Sequence, residues 1–406
     1  MSAIKIPVGP QHPALKEPES FTLTLEGERI IEAEVKLGYN HRGIEKACES
    51  RNYIQDIYLI ERICGICSHS HSTCFIQAVE EIAGIQVPLR AQFIRTIVAE
   101  LERVHSHLLW LGVAGHEVGF DTLFMYAWRD REVVMDLLAL ISGNRVNYGI
   151  NTLGGVRRDL DADSIKKILD ILTPVTERTE FYIKVATGEP TFMGRLSGVG
   201  KLPKEIAQKL GAVGPTARGS GVDRDVRRDD PYAAYDRVPF KVITDDHSDV
   251  LGRTIVRVFE LLESYKMLKF LLENLPDTPI VEKVPRKIAA GEAICRYEAP
   301  RGEDIHYVRS NGTDMPERVK VRAPTLANLA SIRETLKGNF LADFPIIVAA
   351  IDPCFSCTDR SIRLVNGKNS DSMDWRQLRE YSLNWHKAAA GIISSFAISL
   401  IKSAKG

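Results

Sequence analysis

The sequence has no excess of either charge: 53 lysines and arginines meet 53 aspartates and glutamates, for a formal net charge of zero over 406 residues. That balance removes the electrostatic footprint of a protein that binds nucleic acid through its phosphates, so no nucleic-acid partner is expected. No stretch approaches the ~18 consecutive apolar residues of a membrane-spanning helix. The closest run, Ala388–Ile401, is broken by three serines. The opening residues MSAIKIPVGPQHP lack a basic segment followed by an apolar one, so a secretory leader is not expected. Internal repeats and low-complexity tracts are also missing. Cysteines number only seven, too few and too odd in count for a disulfide scaffold. In a reducing compartment, paired thiols point to metal before disulfide.

What is present is an ordinary globular composition, 44% hydrophobic and 26% charged, enough for a large core without disulfide support. Residues 1–40 alternate apolar and polar positions around Glu26-Gly27-Glu28 and predict a hairpin. From about Asn52 to Gly149 the spacing turns helical. In Leu89–Leu111, the residues Ile94, Ile97, Val98, Leu101, Val104, Leu108 and Leu111 form one broad apolar face. Further helices are expected over Phe124–Ser142, Ala162–Glu180, His247–Leu275 and Thr325–Leu336, with β structure between Ile280 and Val321. FPIIVAAID, before Cys354, reads as a strand. Gly188–Asp246 shows little periodicity, and its Gly214–Asp236 part reads as an exposed or partner-contacting region, because Arg218–Arg228 interleaves with Asp223, Asp225, Asp229 and Asp230. The fold class expected is mainly α with an N-terminal hairpin or small sheet, an α+β chain around a helical bundle. Its expected divisions are a β-rich segment with a loop over 1–50, a helical core over 51–360, and a C-terminal extension over 361–406.

Four cysteines form two C-x-x-C pairs, Cys64/Cys67 and Cys354/Cys357, with 287 positions (354 − 67) between them. A zinc ribbon keeps its pairs ~15–20 residues apart. Pairs this distant meet only if a folded core brings them together, which favours a buried reactive metal over a structural staple. Four soft thiolates suit zinc, nickel or an iron–sulfur cluster.

The flanking residues narrow the choice. Arg62-Ile63-Cys64-Gly65-Ile66-Cys67 and Asp352-Pro353-Cys354-Phe355-Ser356-Cys357 resemble the R-x-C-G-x-C and D-P-C-x-x-C signatures of nickel–iron hydrogenase large subunits. GPQHPALKEP, HRGIEK, HSHLLWLG, GPTARGSG and EAPRGE are similar to the branch shared by the energy-converting, group 4 membrane-bound hydrogenases and the quinone-site subunit of respiratory complex I. The resemblance runs from about Gly9 to Arg360. Complex I relatives have lost the nickel cysteines and carry a tyrosine beside the first pair, where this sequence has Gly65. His12, in the N-terminal loop, is common to both branches.

The resemblance implies a reversible 2H⁺ + 2e⁻ to H₂ reaction at a Ni–Fe centre. Cys64 and Cys354 would be terminal nickel ligands, with Cys67 and Cys357 bridging to an iron that carries CO and CN. It further implies that Glu17 relays protons, with Glu19 as a nearby decoy. Arg301 would overhang the open metal position, Asp352 would orient Arg301, and His71 would hydrogen-bond a bridging sulfur. Glu45 would ligate an Mg²⁺ or Fe²⁺ ion near the C-terminus. Implied partners are a small hydrogenase subunit with a proximal 4Fe–4S cluster, complex-I-like membrane subunits, ferredoxin and a maturation endopeptidase, on the cytoplasmic side of the membrane. The endopeptidase would cut after Arg360, removing 46 residues (406 − 360); alternatively an apolar helix over Trp375–Ile401 stays and docks on a partner. The rival functional reading is a quinone- or sulfur-reactive subunit lacking the Ni–Fe centre, and the third is a zinc-binding structural subunit. His69, His105 and His107 are expected to pack or hydrogen-bond, and Cys48, Cys74 and Cys295 to be small core residues.

Overall fold

The computed structural model describes residues 3–359 and the positions 364–366, 369–371, 380–381, 383–385 and 387. The chain divides between Arg360 and Ser361 into two compact units.

The first unit opens with a three-stranded antiparallel sheet, β1 (Ile4–Val8), β2 (Ser20–Glu26) and β3 (Arg29–Lys36), in the order β1-β2-β3. Gly27 adopts a left-handed φ of 61° at the β2–β3 turn, the conformation glycine allows at least cost. Phe21, Leu23, Leu25 and Ile30 of this sheet join the main apolar core.

Five helices follow: α1 (Ile44–Cys48), α2 (Tyr53–Glu61), α3 (Ser68–Ala83), α4 (Leu89–Glu117) and α5 (Asp121–Ser142). Asn52 caps α2 reciprocally with Gln55, a capping box that fixes where the helix begins. All seven apolar positions expected on one face of α4 are buried. The helix goes further than an amphipathic stripe, burying Arg95, Glu100, Glu102, Arg103, His105 and His107 as well. It is a central helix, and its polar residues form part of the site. α4 and α5 pack closely at Gly112, where an added Cβ would lie 2.4 Å from Trp128 Cδ1.

A two-residue ribbon, β4 (Asn151–Thr152) with β5 (Gly155–Val156), leads to α6 (Ala162–Gly188), which is eight residues longer than expected. The stretch read as aperiodic holds four short helices: α7 (Pro190–Leu196), α8 (Lys204–Lys209), α9 (Gly214–Arg218) and α10 (Val226–Asp229). Within it, Gly214–Ser220 and Asp225–Arg227 are interior, not exposed as the sequence suggested. The reason is charge pairing inside the protein. Arg218 meets Glu260 at 2.9 Å and Glu298 at 2.8 Å, and Arg227 meets Asp225 at 2.7 Å and Glu100 at 3.1 Å. Buried charges persist when paired and hydrogen-bonded in this way.

α11 (Val250–Glu273) packs on α4 and α6. A second antiparallel sheet follows in the order β6 (Gly291–Ala299), β7 (Gly302–Ser310), β8 (Pro316–Arg322). Then come α12 (Pro324–Leu336), α13 (Phe344–Ala350) and α14 (Phe355–Thr358). FPIIVAAID is therefore a helix, where a strand was expected. A short apolar run does not distinguish a buried strand from a buried helix by periodicity, and here Pro345 in the first turn favours the helix.

In the second unit, Leu364–Asn366 pairs antiparallel with Asn369–Asp371. Most of the helix expected over Trp375–Ile401 lies outside the described residues. No helix among the described residues is long and apolar enough to cross a membrane.

Candidate metal centre

Each C-x-x-C pair sits where a helix starts. Cys67 caps the N-terminus of α3, with Cys64 just before it in the connection from α2. Cys354 caps α14, and Cys357 lies within that helix. Helix N-termini present unpaired N–H groups and a positive dipole end, a setting that favours thiolate. The N–H groups of Ile66 and Cys67 point at Cys64 Sγ from 3.2 and 3.4 Å.

The fold brings the two pairs together. Cys64 Sγ lies 3.4 Å from Cys354 Sγ, Cys67 Sγ lies 3.7 Å from Cys357 Sγ, and Cys354 and Cys357 are 2.9 Å apart. First faces first, and second faces second. All four are buried, and none is in a disulfide. Hydrogen bonds from Cys354 and the other two thiols, helped by Arg301, hold Cys64 well below the usual thiol range. Burial pushes Cys357 well above it, so the cluster does not ionise as a whole without a cation. Four soft donors in one buried cluster, with the sulfurs of Cys64, Cys67 and Cys357 within 4.8 Å of one another, fit a thiophilic metal.

The other expected residues are mostly at this site. Arg301 donates from Nε to the Asp352 carbonyl and from Nη2 to Asp352 Oδ1, both at 2.8 Å, and from Nη1 to Ser106 Oγ at 3.2 Å. Burial opposes its charge, but Asp352 and the neighbouring thiols outweigh that, so the guanidinium stays ionised. Asp352 has a left-handed φ of 56°, a strained setting of the order of 1 kcal/mol or more, which lets one residue offer both carbonyl and carboxylate to the guanidinium. Glu17 accepts from Phe355 N at 2.5 Å, Ser356 N at 3.0 Å and Ser356 Oγ at 2.5 Å, capping α14. His71 places Nε2 3.3 Å from Cys357 Sγ.

Glu45 is elsewhere. Its carboxylate accepts from Val321 N at 3.0 Å and Lys320 Nζ at 3.2 Å, and among the described residues it joins no group of three metal-capable side chains. His12 is exposed.

Arg42 and Glu102 were not singled out in the sequence, and other neighbours of the cluster were named there without these contacts. Arg42, in HRGIEK, donates to the carbonyls of Arg62, Ile63 and Ser356 and so ties the two cysteine loops together. Its position inside a motif was the available signal. Glu19 is fully buried, and desolvation, with Asp359 and Glu17 adding repulsion, pushes its carboxyl up to about 8. Glu102 accepts from the N–H groups of His69 and Ser70 at 2.7 and 3.0 Å, and burial pushes it up to about 8 as well. His105 hydrogen-bonds Tyr148 Oη at 2.9 Å and His107 meets Glu260 at 2.8 Å, in line with their expected roles. His69 bonds the Arg95 carbonyl at 2.9 Å, and Cys48 and Cys74 are core residues, while Cys295 is only partly buried. Gly214 explains GPTARGSG: an added Cβ would stand 2.4 Å from the Arg301 carbonyl, so this glycine lets α9 lie against the backbone that carries the guanidinium.

A cavity of about 320 Å³ reaches Cys354, Arg301, Asp352 and Glu17, walled mainly by Leu15, Ile66, Leu109, Trp110, Val113, Trp128, Val348 and Phe355. It is an apolar approach ending on a charged floor.

A fold of this kind, with two cysteine pairs meeting beneath an arginine, defines a class. The chain belongs to the family that unites the 49-kDa subunit of respiratory-chain NADH dehydrogenase, matched over residues 117–289 and 285–360, with the nickel-dependent hydrogenases, matched over 42–112. Among its relatives, the membrane-bound hydrogenase subunit alpha of Pyrococcus furiosus is 47% identical over 382 residues, covering 90% of this chain and 89% of the relative. A subunit of the NADH-quinone oxidoreductase of Clostridium beijerinckii is 37% identical over 354 residues, covering 87% and 96%. A chain of the solved membrane-bound sulfane sulfur reductase, an archaeal respiratory membrane complex, matches with a TM-score of 0.84 at 33% identity, covering 88% of this chain and 98% of that one. The α+β fold is shared, and the relatives place the chain among oxidoreductase subunits of complex-I-like membrane assemblies.

Proposed function

We propose that this chain is the catalytic subunit of a membrane-bound, energy-converting nickel–iron hydrogenase interconverting 2H⁺ + 2e⁻ and H₂. The observation that carries the reading is the meeting of four cysteine sulfurs in one buried cluster, since a quinone-reactive subunit has no use for them. Cys64, Cys67, Cys354 and Cys357 would hold the nickel. As the family resemblance implies, Cys64 and Cys354 would be the terminal ligands, and Cys67 and Cys357 would also hold an iron carrying CO and CN. When bound, such a centre supplies the low-valent, soft metal at which H₂ is split or formed.

The residues of the chain do the rest. Arg301, held by Asp352 on two sides, keeps a fixed positive charge over the cluster beside Cys354. Glu17 bonds the loop between Cys354 and Cys357 and borders the cavity, a position from which a carboxyl can take a proton from the sulfur loop and pass it outward. The apolar walls of the cavity admit a small non-polar gas and keep bulk water from the thiolates. His71 steadies Cys357. Glu45, held by Lys320 and Val321, is proposed as a ligand of an Mg²⁺ or Fe²⁺ ion only with displacement of that lysine.

With all four paired cysteines committed, the electrons come from elsewhere: a small subunit with a proximal 4Fe–4S cluster, supplied by ferredoxin, in a complex whose membrane subunits move ions. The assembly faces the cytoplasm. The resemblance to precursors cut at a basic residue shortly after D-P-C-x-x-C, here Arg360 in Cys357-Thr358-Asp359-Arg360, supports removal of residues 361–406 by a maturation endopeptidase.

Nickel and iron analysis of the purified complex, with H₂-dependent dye reduction, tests the reading. Stoichiometric nickel and H₂ uptake are expected. Zinc alone, or no metal with quinone or sulfur reduction, overturns it. Intact mass of the subunit from active complex tests maturation: a mass ending at Gly406 refutes the cut.

A further inference from the structure

The hairpin that brings Arg301 over the cluster also places a carboxylate behind it. Along β7, burial alternates, so Asp304 and His306 share the inward face and Tyr307 the outward one. α3 crosses that face and contributes His71 from its first turn. Asp304 Oδ2 lies 2.9 Å from His71 Nδ1 and 3.2 Å from His306 Nε2. The opposite nitrogen of His71, Nε2, is the one 3.3 Å from Cys357 Sγ. All four side chains are buried.

An ionised carboxylate only accepts hydrogen bonds. Burial opposes that ionisation, but the two flanking imidazoles outweigh it and hold Asp304 well below the usual carboxylate range. The carboxylate therefore accepts from Nδ1 of His71 and sets the plane in which the ring presents Nε2 to Cys357. We infer that Asp304 is a positioning residue for the metal centre: it fixes the ring plane of His71 so that Nε2 is held on the Cys357 sulfur, while His306 Nε2, 3.2 Å from both Asp304 Oδ2 and His71 Nδ1, closes the group. The inference rests on Cys357 being a metal ligand. Carboxylate–histidine pairs behind metal sites tune both retention and electronics, and their loss costs about 10–100-fold in affinity or activity.

The test compares Asp304→Asn, Asp304→Glu and His306→Gln in the intact complex, with Tyr307→Phe on the outward face as control. Two readouts are nickel release to a chelator and the infrared bands of the iron-bound CO and CN. Asp304→Asn is expected to release nickel about tenfold faster or more and to shift the CO band. Asp304→Glu should restore part of both, His306→Gln should give a smaller shift in the same direction, and Tyr307→Phe none. Wild-type release and band positions in Asp304→Asn overturn the proposal. So does a further equivalent of a metal other than nickel or iron lost with Asp304→Asn, which would make the Asp304–His71–His306 group a cation site of its own. If Asp304→Asn does not assemble, His306→Gln decides by the same criteria. Histidine-selective ¹⁵N spectra of the full metal-free chain read the tautomer directly. His71 protonated at Nδ1 in wild type, and a tautomer mixture in Asp304→Asn, are expected; an Nε2 tautomer in wild type refutes the assignment. A complex without nickel whose His71 is still Nδ1-protonated sinks the hydrogenase reading while leaving the positioning geometry intact.

Discussion

The two walls of the sulfur cluster are built from different chemistry. The wall behind Cys354 and Cys357 sets an arginine and two carboxyl side chains next to a cavity: Arg301, Asp352 and Glu17 all touch it. The wall behind Cys64 and Cys67 is made chiefly of neutral hydrogen-bonding groups. Among them are Ser70, His105, Tyr148 and Glu102, whose carboxyl is pushed toward its neutral form by burial. Charge that must appear and vanish in a reaction belongs where solvent and substrate arrive. A dry, neutral wall keeps the donor set in place without burying charge. The working and holding sides of the centre are thus separate, and substitutions on each should fail differently.

The largest effect is expected where both walls meet. Cys64→Ser or Cys357→Ser replaces a soft thiolate with a hard alcohol, and H₂ oxidation should fall to background with nickel lost. Retention of more than a few per cent of activity in either variant ends the ligand assignment.

On the charged wall, Glu17→Gln should lower turnover about 100-fold or more while nickel remains, with H/D exchange falling alongside. Because Glu17 also accepts three hydrogen bonds from Phe355 and Ser356, metal content must be read with the rate. A variant with full activity moves the relay elsewhere, and Glu19 is the next carboxyl to change.

On the neutral wall, pH is the lever. Glu102 has its folded value raised to about 8 from an ordinary 4.5, chiefly by desolvation. Below about pH 4.5 folded and unfolded chains are both protonated there and nothing is lost. Between about pH 4.5 and 8 the unfolded chain carries the charge and the folded one does not, so stability declines, and above about 8 both are ionised and the decline levels off. Glu102→Gln should flatten that decline by roughly 2–4 kcal/mol between pH 5 and 9 in denaturant unfolding of the full chain. An unchanged slope would mean that Glu102 is ionised in the native protein.

The smallest effect is expected at Gly112→Ala, where α4 meets α5. The helix gains about 1 kcal/mol from alanine, while the new Cβ, 2.4 Å from Trp128, costs about 1–3 kcal/mol in overpacking. A net loss near 1 kcal/mol follows, with nickel content untouched. A stabilised variant would show that Trp128 swings aside freely at the cavity wall.

These contrasts also mark what could be read from the chain alone. The cysteine pairs were legible because ligand spacing is local, and α4 because seven apolar residues recur at helical intervals. Arg301, Asp352, Glu17 and His71 were placed by motif resemblance, and the structure brings them to the cysteines. Asp304 and His306 left only a two-residue alternation in β7, which names a face but no partner. Glu19 stood only as the decoy beside Glu17, because neither its burial nor the repulsion from Asp359, 340 positions on (359 − 19), is visible in the loop sequence. Arg218 and Arg227 misled because, besides the local Asp225, their counterions Glu260, Glu298 and Glu100 lie distant in sequence, so a buried lattice of ion pairs was read as a solvated or partner-contacting run. Phe344–Ala350 failed on a purely local ambiguity.

The contacts of the N-terminal loop with the second cysteine pair set a schedule. Glu17 waits for Phe355 and Ser356, and the Asn40 N–H for Asp359 at 2.6 Å. At ~5–20 residues made per second, the 287 positions between Cys67 and Cys354 (354 − 67) take the ribosome roughly 15–60 s. Through that interval the first pair exists without the second, and the N-terminal loop has nothing to close on. The pocket is finished last, by the final residues of its own unit, so any metal delivered early would meet two sulfurs and an open door.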